Sequence, residues 1–282
     1  MAVMAHDISI PSRPGQAWQV PVPSGMLAGE TVGRGLPLLF LHGWTLDRRA
    51  WTPQVDALRD QVQSILIDRR GCGQSTASPS LGDEPDDLVA VLEQRSIDEA
   101  VIVAMSQGVR IALAFAARHP GRVRALVLQG PPLLFPTASG IAPDAAAVSG
   151  LHALARESRW TALGDALRRD PLFFLPGGEG EELRDLMLNA YRARDLLSAG
   201  RPLHLSSDEV ASIRAPTLLI CGEHEAGDRK RSAEQLAALL PDAARRGIPG
   251  GGHLCNLCSP VSYNAALMSF IGHVRDNSRH IC

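Results

Sequence analysis

Neither sign of charge dominates this chain: 28 lysines and arginines stand against 30 aspartates and glutamates, a formal net charge of −2. That balance offers no electrostatic reason to expect a nucleic acid or an anionic membrane as partner. Long apolar runs are missing as well, and no stretch approaches the roughly 20 residues that a membrane span requires. The opening "MAVMAHDISIPSRPGQ" has no basic segment leading into an apolar core, so no secretory signal is expected and a cytoplasmic location is. Cysteine is scarce. Five residues (Cys72, Cys221, Cys255, Cys258 and Cys282), odd in number and unevenly spaced, do not make the framework of a disulfide-stapled secreted domain. "CNLC" at 255–258 has redox or zinc spacing, yet no second CxxC or HxxxH accompanies it, so no tetrahedral metal site is expected. Internal repeats and low-complexity tracts are also lacking.

What remains is a chain of 282 residues, 45% of them apolar, long enough for a sizeable core. Five short apolar runs recur: "LPLLFLHG" (36–43), "QSILIDRRG" (63–71), "DEAVIVAMS" (98–106), "VRALVLQG" (123–130) and "APTLLICG" (215–222). They are nearly continuous, with no polar alternation, as strands covered on both faces require. Helical patterns fall between and after them, near 49–59, 84–95, 107–118, 229–240 and 260–272. Such alternation predicts an α/β fold with a mostly parallel sheet and right-handed crossovers. The first 35 residues, with "HDISIPS" and "AWQVPVP", predict an antiparallel lead-in hairpin. Residues 132–212 break the alternation with a Pro- and Gly-punctuated loop followed by helix-like stretches. They are expected to form a helical insertion on a core made of 1–131 and 213–282.

Chemistry concentrates at the ends of these strands. In "VIVAMSQGVRIAL" (101–113) an apolar strand stops at Ser106 and a helix pattern begins at once. A serine nucleophile on a sharp strand-to-helix bend needs small neighbours, as in G-x-S-x-G; here Gly108 fits, and Ala104 replaces the first glycine. The helix N-terminus directs its peptide N–H groups at charge developing beside the serine. "HGW" at 42–44 closes the first parallel strand, and its glycine allows close backbone approach. The N–H groups of Trp44 and Gln107 are therefore expected to form a two-donor oxyanion hole, each donor supplying about 3 kcal/mol in the transition state. His42 reads as a residue orienting that loop.

A serine needs a base, and the base an acid to fix its tautomer. "RRGIPGGGHLCNL" presents His253 after a triple glycine, and "TLLICGEHEAGD" ends a strand in a turn holding Glu223, Glu225 and Asp228. The order serine, carboxylate, histidine is that of one hydrolase architecture and differs from the chymotrypsin and subtilisin orders.

Taken together, "LLFLHGW", "IDRRGCGQS", "AMSQG", "PTLLICGEHE" and "GGGHLCNLCSP" resemble the motifs of the α/β-hydrolase fold over nearly the whole chain. The resemblance implies a serine esterase or lactonase with Ser106 as nucleophile, His253 as base and no metal or organic cofactor. It implies Glu225 as the acid, counted as the fourth residue of a turn beginning at Gly222; glutamate departs from the more common aspartate, and Glu223 and Asp228 remain alternatives. Residues 132–212 would be the variable cap, Asp68 and Arg70 turn-stabilising residues, and Cys255 and Cys258 framework positions. Arg69 has no assigned part.

The expected substrate is a medium-sized, mostly apolar ester or lactone, with Trp44, Phe173 and Phe174 as pocket walls. The alternatives are a slow-turnover ligand receptor or a non-hydrolytic use of the same residues, as in perhydrolases, lyases and C–C hydrolases.

Overall fold

A computed structural model describes residues 15–135, 150–151, 153–170, 172 and 200–279. Eight strands form one sheet: β1 (Gln16–Val22), β2 (Gly25–Gly33), β3 (Leu36–Leu41), β4 (Val62–Asp68), β5 (Ala100–Met105), β6 (Val123–Gln129), β7 (Thr217–Gly222) and β8 (Ala243–Ile248). Their order is β1-β2-β4-β3-β5-β6-β7-β8. The β1–β2 and β2–β4 pairings are antiparallel, and every other pairing is parallel. The fold is therefore an α/β-hydrolase fold, with an antiparallel hairpin at one edge formed by "QAWQVPV" and "GMLAGETVG"; of the two segments expected to form it, "HDISIPS" lies outside the described residues.

Two apolar layers explain the unbroken strand runs. Successive side chains of a strand point to opposite faces, and β3 divides accordingly. Leu38 and Phe40 join one buried cluster with Val101, Val103 and Val127, while Leu39 and Leu41 join the other with Ile102, Leu126 and Leu128. The first cluster takes in Val55 and Leu58 of α1 (Thr52–Leu58) and Tyr263, Leu267 and Ile271 of the last helix, Pro260–Arg279. The second is covered by α2 (Glu84–Gln94) and α3 (Gln107–Arg118), with Leu236 from the helix Gly227–Leu239. Either face would expose a wall of valine and leucine without its helices.

The turn after β4 is pinned as the motif "IDRRGCGQS" suggested. The Asp68 carboxylate accepts the backbone N–H of Arg48 (3.0 Å) and of Gln74 (2.8 Å), and contacts the Arg48 guanidinium. Arg70 grips Asp87 of α2 through two bonds of 2.5 and 2.8 Å and reaches the Pro23 carbonyl in the β1–β2 turn. This buried fork thus ties the antiparallel hairpin to the parallel part of the sheet.

Among residues 132–212, helix covers 150–151, 153–156 and α4 (Trp160–Arg169). The helix-like stretches expected here are separated at Ser158, whose φ is +54°. Leu151, Ala155, Leu163 and Leu167 enter the first cluster. A further short helix, α5 (Ser207–Ala211), opens with a full capping box between Ser206 and Glu209, a sequence signature that the periodicity reading passed over. Continuing in chain order, Gly227–Leu239 is α6, Cys255–Cys258 is α7 and Pro260–Arg279 is α8. Among the described residues no helix is long and apolar enough to cross a membrane.

The central position of β3 makes it a sensitive test of this packing. Leu39 is fully buried, and Leu39→Ala is expected to destabilise the fold by about 2–5 kcal/mol in urea unfolding, the range for a leucine-sized cavity.

Candidate active site

The sheet brings the C-terminal ends of β3, β5, β6, β7 and β8 side by side, and Trp44, Ser106, Glu225 and His253 lie on the segments that follow β3, β5, β7 and β8. Ser106 sits between β5 and α3 with φ +50° and ψ −121°, an unusual backbone for a residue with a side chain. Its N–H donates to the Gln129 carbonyl at the end of β6 (2.8 Å). A Cβ placed on Gly108 would lie 2.9 Å from the carbonyl oxygens of Leu41 and His42. Only glycine lets α3 start this close to the end of β3. From the other side the loop 42–44 reaches the serine: a Cβ on Gly43 would stand 3.3 Å from that of Ser106.

His42 is not available as a base. Its Nδ1–H donates to the Gly43 carbonyl (2.8 Å), and its Nε2 accepts the Arg69 N–H (3.0 Å). Burial, assisted by the positive charge of Arg69, lowers its pKa from 6.5 to about 3. The ring stays neutral with both nitrogens committed to backbone, a loop-orienting residue as the sequence suggested.

Of the three candidate carboxylates, Glu225 is the one that meets the imidazole. Its Oε2 lies 2.9 Å from Nδ1 of His253, and its Oε1 accepts the Ala226 N–H (3.0 Å). Glu223 instead accepts the Gly250 N–H in an exposed turn (2.9 Å). Burial works to raise the Glu225 pKa, but the hydrogen bond and charge of His253, the Ala226 N–H and the Arg229 guanidinium together carry it below the ordinary glutamate value. Glu225 is therefore an anion able to hold the Nδ1–H tautomer, which leaves Nε2 as the free basic nitrogen. Gly130 (φ +52°) packs against this pair: a Cβ there would fall 2.7 Å from the imidazole and 2.8 Å from the carboxylate.

Sequence reasoning missed the group that anchors the histidine loop. Gln129 Nε2 donates to the His253 carbonyl (2.8 Å) and to Asn256 Oδ1 (3.0 Å). Asn256 in turn donates to the Ala50 carbonyl, and Gln54 donates to the Asn256 carbonyl (2.8 Å each). These three amides are fully buried. Gln129 thus accepts from Ser106 with its backbone and holds the His253 loop with its side chain. The signal was a polar residue closing the apolar run "ALVLQ" at 125–129.

Gln107 begins α3, and Trp44 lies half-buried in the turn after β3, packed on the first apolar cluster with Trp160 and Leu257. Phe173 and Phe174 fall outside the described residues. The CxxC pair lies on the single-turn α7. Cys255 is buried, which raises its thiol pKa well above the usual value, so it is a poor thiolate.

Comparison with known proteins supports the fold. A family profile described as alpha/beta hydrolase fold matches residues 37–258. The chain belongs to the α/β-hydrolase family. It is 32% identical over 244 residues to a pimeloyl-[acyl-carrier protein] methyl ester esterase of Aromatoleum aromaticum, covering 79% of this chain and 93% of that one. Among solved structures it resembles a thermophilic esterase from Thermogutta terrifontis, with a TM-score of 0.75, 26% identity, and coverage of 92% of this chain and 99% of that one. It also resembles Est816, described as an N-acyl homoserine lactone degrading enzyme, with a TM-score of 0.73, 26% identity, and coverage of 89% and 99%.

Two measurements follow from this geometry. The unfolded chain protonates His42 near pH 6.5 and the folded chain only near pH 3, so between these values the unfolded state binds more protons and stability falls as pH falls. From pH 6.5 to about 5 the wild type should lose about 1–2 kcal/mol more than His42→Gln in urea unfolding. Gly130→Ala should displace the imidazole from the carboxylate, so the low-field NMR signal of the His253 Nδ1 proton present in the wild type should be lost or strongly shifted.

Proposed function

We propose that this protein is a serine hydrolase that cleaves a medium-sized, mostly apolar carboxylic ester or lactone through an acyl-enzyme. The reading rests chiefly on the buried Glu225–His253 contact of 2.9 Å, on a histidine loop that Gln129 ties to the turn carrying Ser106, a serine at φ +50°. His253 Nε2 takes the proton of Ser106 as its oxygen attacks the acyl carbonyl. The N–H groups of Trp44 and Gln107 receive the oxyanion. The imidazolium, steadied by the Glu225 anion, then protonates the departing alcohol. Water, deprotonated by the same nitrogen, releases the acid and restores Ser106. In a lactone the alcohol stays tethered to the acyl group, and the steps are otherwise the same.

Several features favour an apolar acyl or alcohol part. Trp44 adjoins the apolar cluster that receives Trp160 and the buried leucines of the insertion. In this reading residues 132–212 act as a cap whose helices supply much of the pocket, with Phe173 and Phe174 as further walls. The relatives add chemical support: one is named a methyl ester esterase and another a lactone-degrading enzyme. Preference between ester and lactone then depends on how the cap shapes the space above Trp44.

Treatment with a fluorophosphonate followed by peptide mapping tests the reading directly. Ser106 should carry the label in the wild type, and Ser106→Ala should carry none. On a panel of short esters and lactones, Ser106→Ala and His253→Ala should each lose about 10⁴-fold or more in kcat, and Glu225→Gln should lose less. An unlabelled Ser106 in a folded wild type with no turnover of the panel would reject the proposal.

A further inference from the structure

The buried cation Arg69, which the family motif leaves unexplained, lies between the two halves of the oxyanion site. Its guanidinium makes a two-bond fork with Glu84 of α2: Nε to Oε2 at 2.7 Å and Nη2 to Oε1 at 3.0 Å. Both partners are buried, and the Glu84 carboxylate more than offsets the cost that burial imposes on the guanidinium, so Arg69 stays charged. A buried pair of this kind contributes little net stability but is costly to break, so its value must be sought in what it positions.

Three N–H bonds remain after the pairing with Glu84, and two of them reach the turns beside Ser106. Nη2 also donates to the side-chain oxygen of Gln107 (3.0 Å), and Nη1 donates to the His42 carbonyl (3.1 Å). The Arg69 backbone N–H donates to His42 Nε2, and His42 Nδ1–H donates to the Gly43 carbonyl. That carbonyl belongs to the peptide group whose other end is the Trp44 N–H. A donor bonded to a carbonyl fixes the plane of its peptide and polarises the N–H at the far side. One residue therefore holds Gln107 by its side chain and the Gly43–Trp44 peptide through the His42 ring.

We infer that Arg69 is the positioning residue of the oxyanion site, its planar fork setting the angle between the Trp44 and Gln107 N–H groups. The inference rests on the serine-hydrolase reading above. Lysine cannot do the same work, because a single ammonium has no rigid fork with which to satisfy Glu84, Gln107 and His42 in one plane. Arg69 does not touch substrate in this scheme. It acts through the two peptides, whose hydrogen bonds matter most when the carbonyl oxygen has become an anion. Its loss should fall on kcat and on binding of tetrahedral analogues and leave ground-state binding nearly unchanged.

The test uses the full chain with two variants, Arg69→Met and Gln107→Met. The second keeps the Arg69–Glu84 pair and the Gln107 backbone N–H and removes only the side-chain acceptor, so it remains informative if the first fails to fold. Each is assayed for fluorophosphonate labelling of Ser106, for kcat and KM on a short ester, and for inhibition by a trifluoromethyl ketone, which forms a tetrahedral oxyanion on the serine. Arg69→Met should lower kcat about 100-fold, the scale of a misplaced donor, and Gln107→Met about tenfold, with KM changed less than threefold. The ketone should weaken in proportion to kcat. Wild type that labels and turns over, beside folded variants that keep full kcat and full ketone affinity, would overturn the inference alone. A change confined to KM would overturn it equally. Wild type that neither labels nor turns over would overturn the hydrolase reading and this inference with it.

Discussion

The backbone of Ser106 is the constraint around which the candidate site is organised. A non-glycine residue at φ +50° costs about 1–3 kcal/mol and persists only where its surroundings over-determine it. Here they do. The Ser106 N–H is held by the end of β6, the helix behind it abuts the end of β3, and β5 on its N-terminal side is fully buried. A parallel sheet can supply this because three neighbouring strands end at the same level. The strain places the serine side chain between two turns that carry the remaining groups of the proposed mechanism.

Around that turn the protein uses buried polar groups in two different ways. Amides and a neutral imidazole tie backbone to backbone: Gln129, Asn256 and Gln54 on the histidine side, His42 on the Trp44 side. Ion pairs tie elements to one another: Arg70 with Asp87, and Arg69 with Glu84. The neutral ties cost little to bury once satisfied. The ionic ones are costly to disturb, which makes their geometry rigid. Rigidity is what a site needs if its donors are to be in place before charge develops.

Much of this was legible in the residues, because the physics that sets it is local. Continuous apolar runs marked β3 to β7, and helix α3 begins and ends where its pattern does. The strand read as 36–43 stops at Leu41, since His42 and Gly43 turn away to the site. Ser106 and His253 stood out through their small-residue neighbours and their places after strands, whereas Glu225 was one of three carboxylates in its turn and was singled out by the family resemblance. Arg69 and the Gln129 network did not. Their importance comes from partners 15 to 206 positions away, and no spacing in one sequence announces such contacts. The short α5 escaped because a five-residue helix has too few turns for periodicity, although its capping box was present.

The crowding at Gly108 and Gly130 has a consequence for how this site can change over time. Every replacement of glycine brings at least a Cβ, and at these positions that atom would collide with the carbonyls of β3 or with the Glu225–His253 pair. No graded series of intermediate side chains exists at either position. Variation in activity is thus channelled away from these two glycines. A library that randomises the neighbourhood of Ser106 gains nothing at these two codons, and its useful diversity lies at other positions.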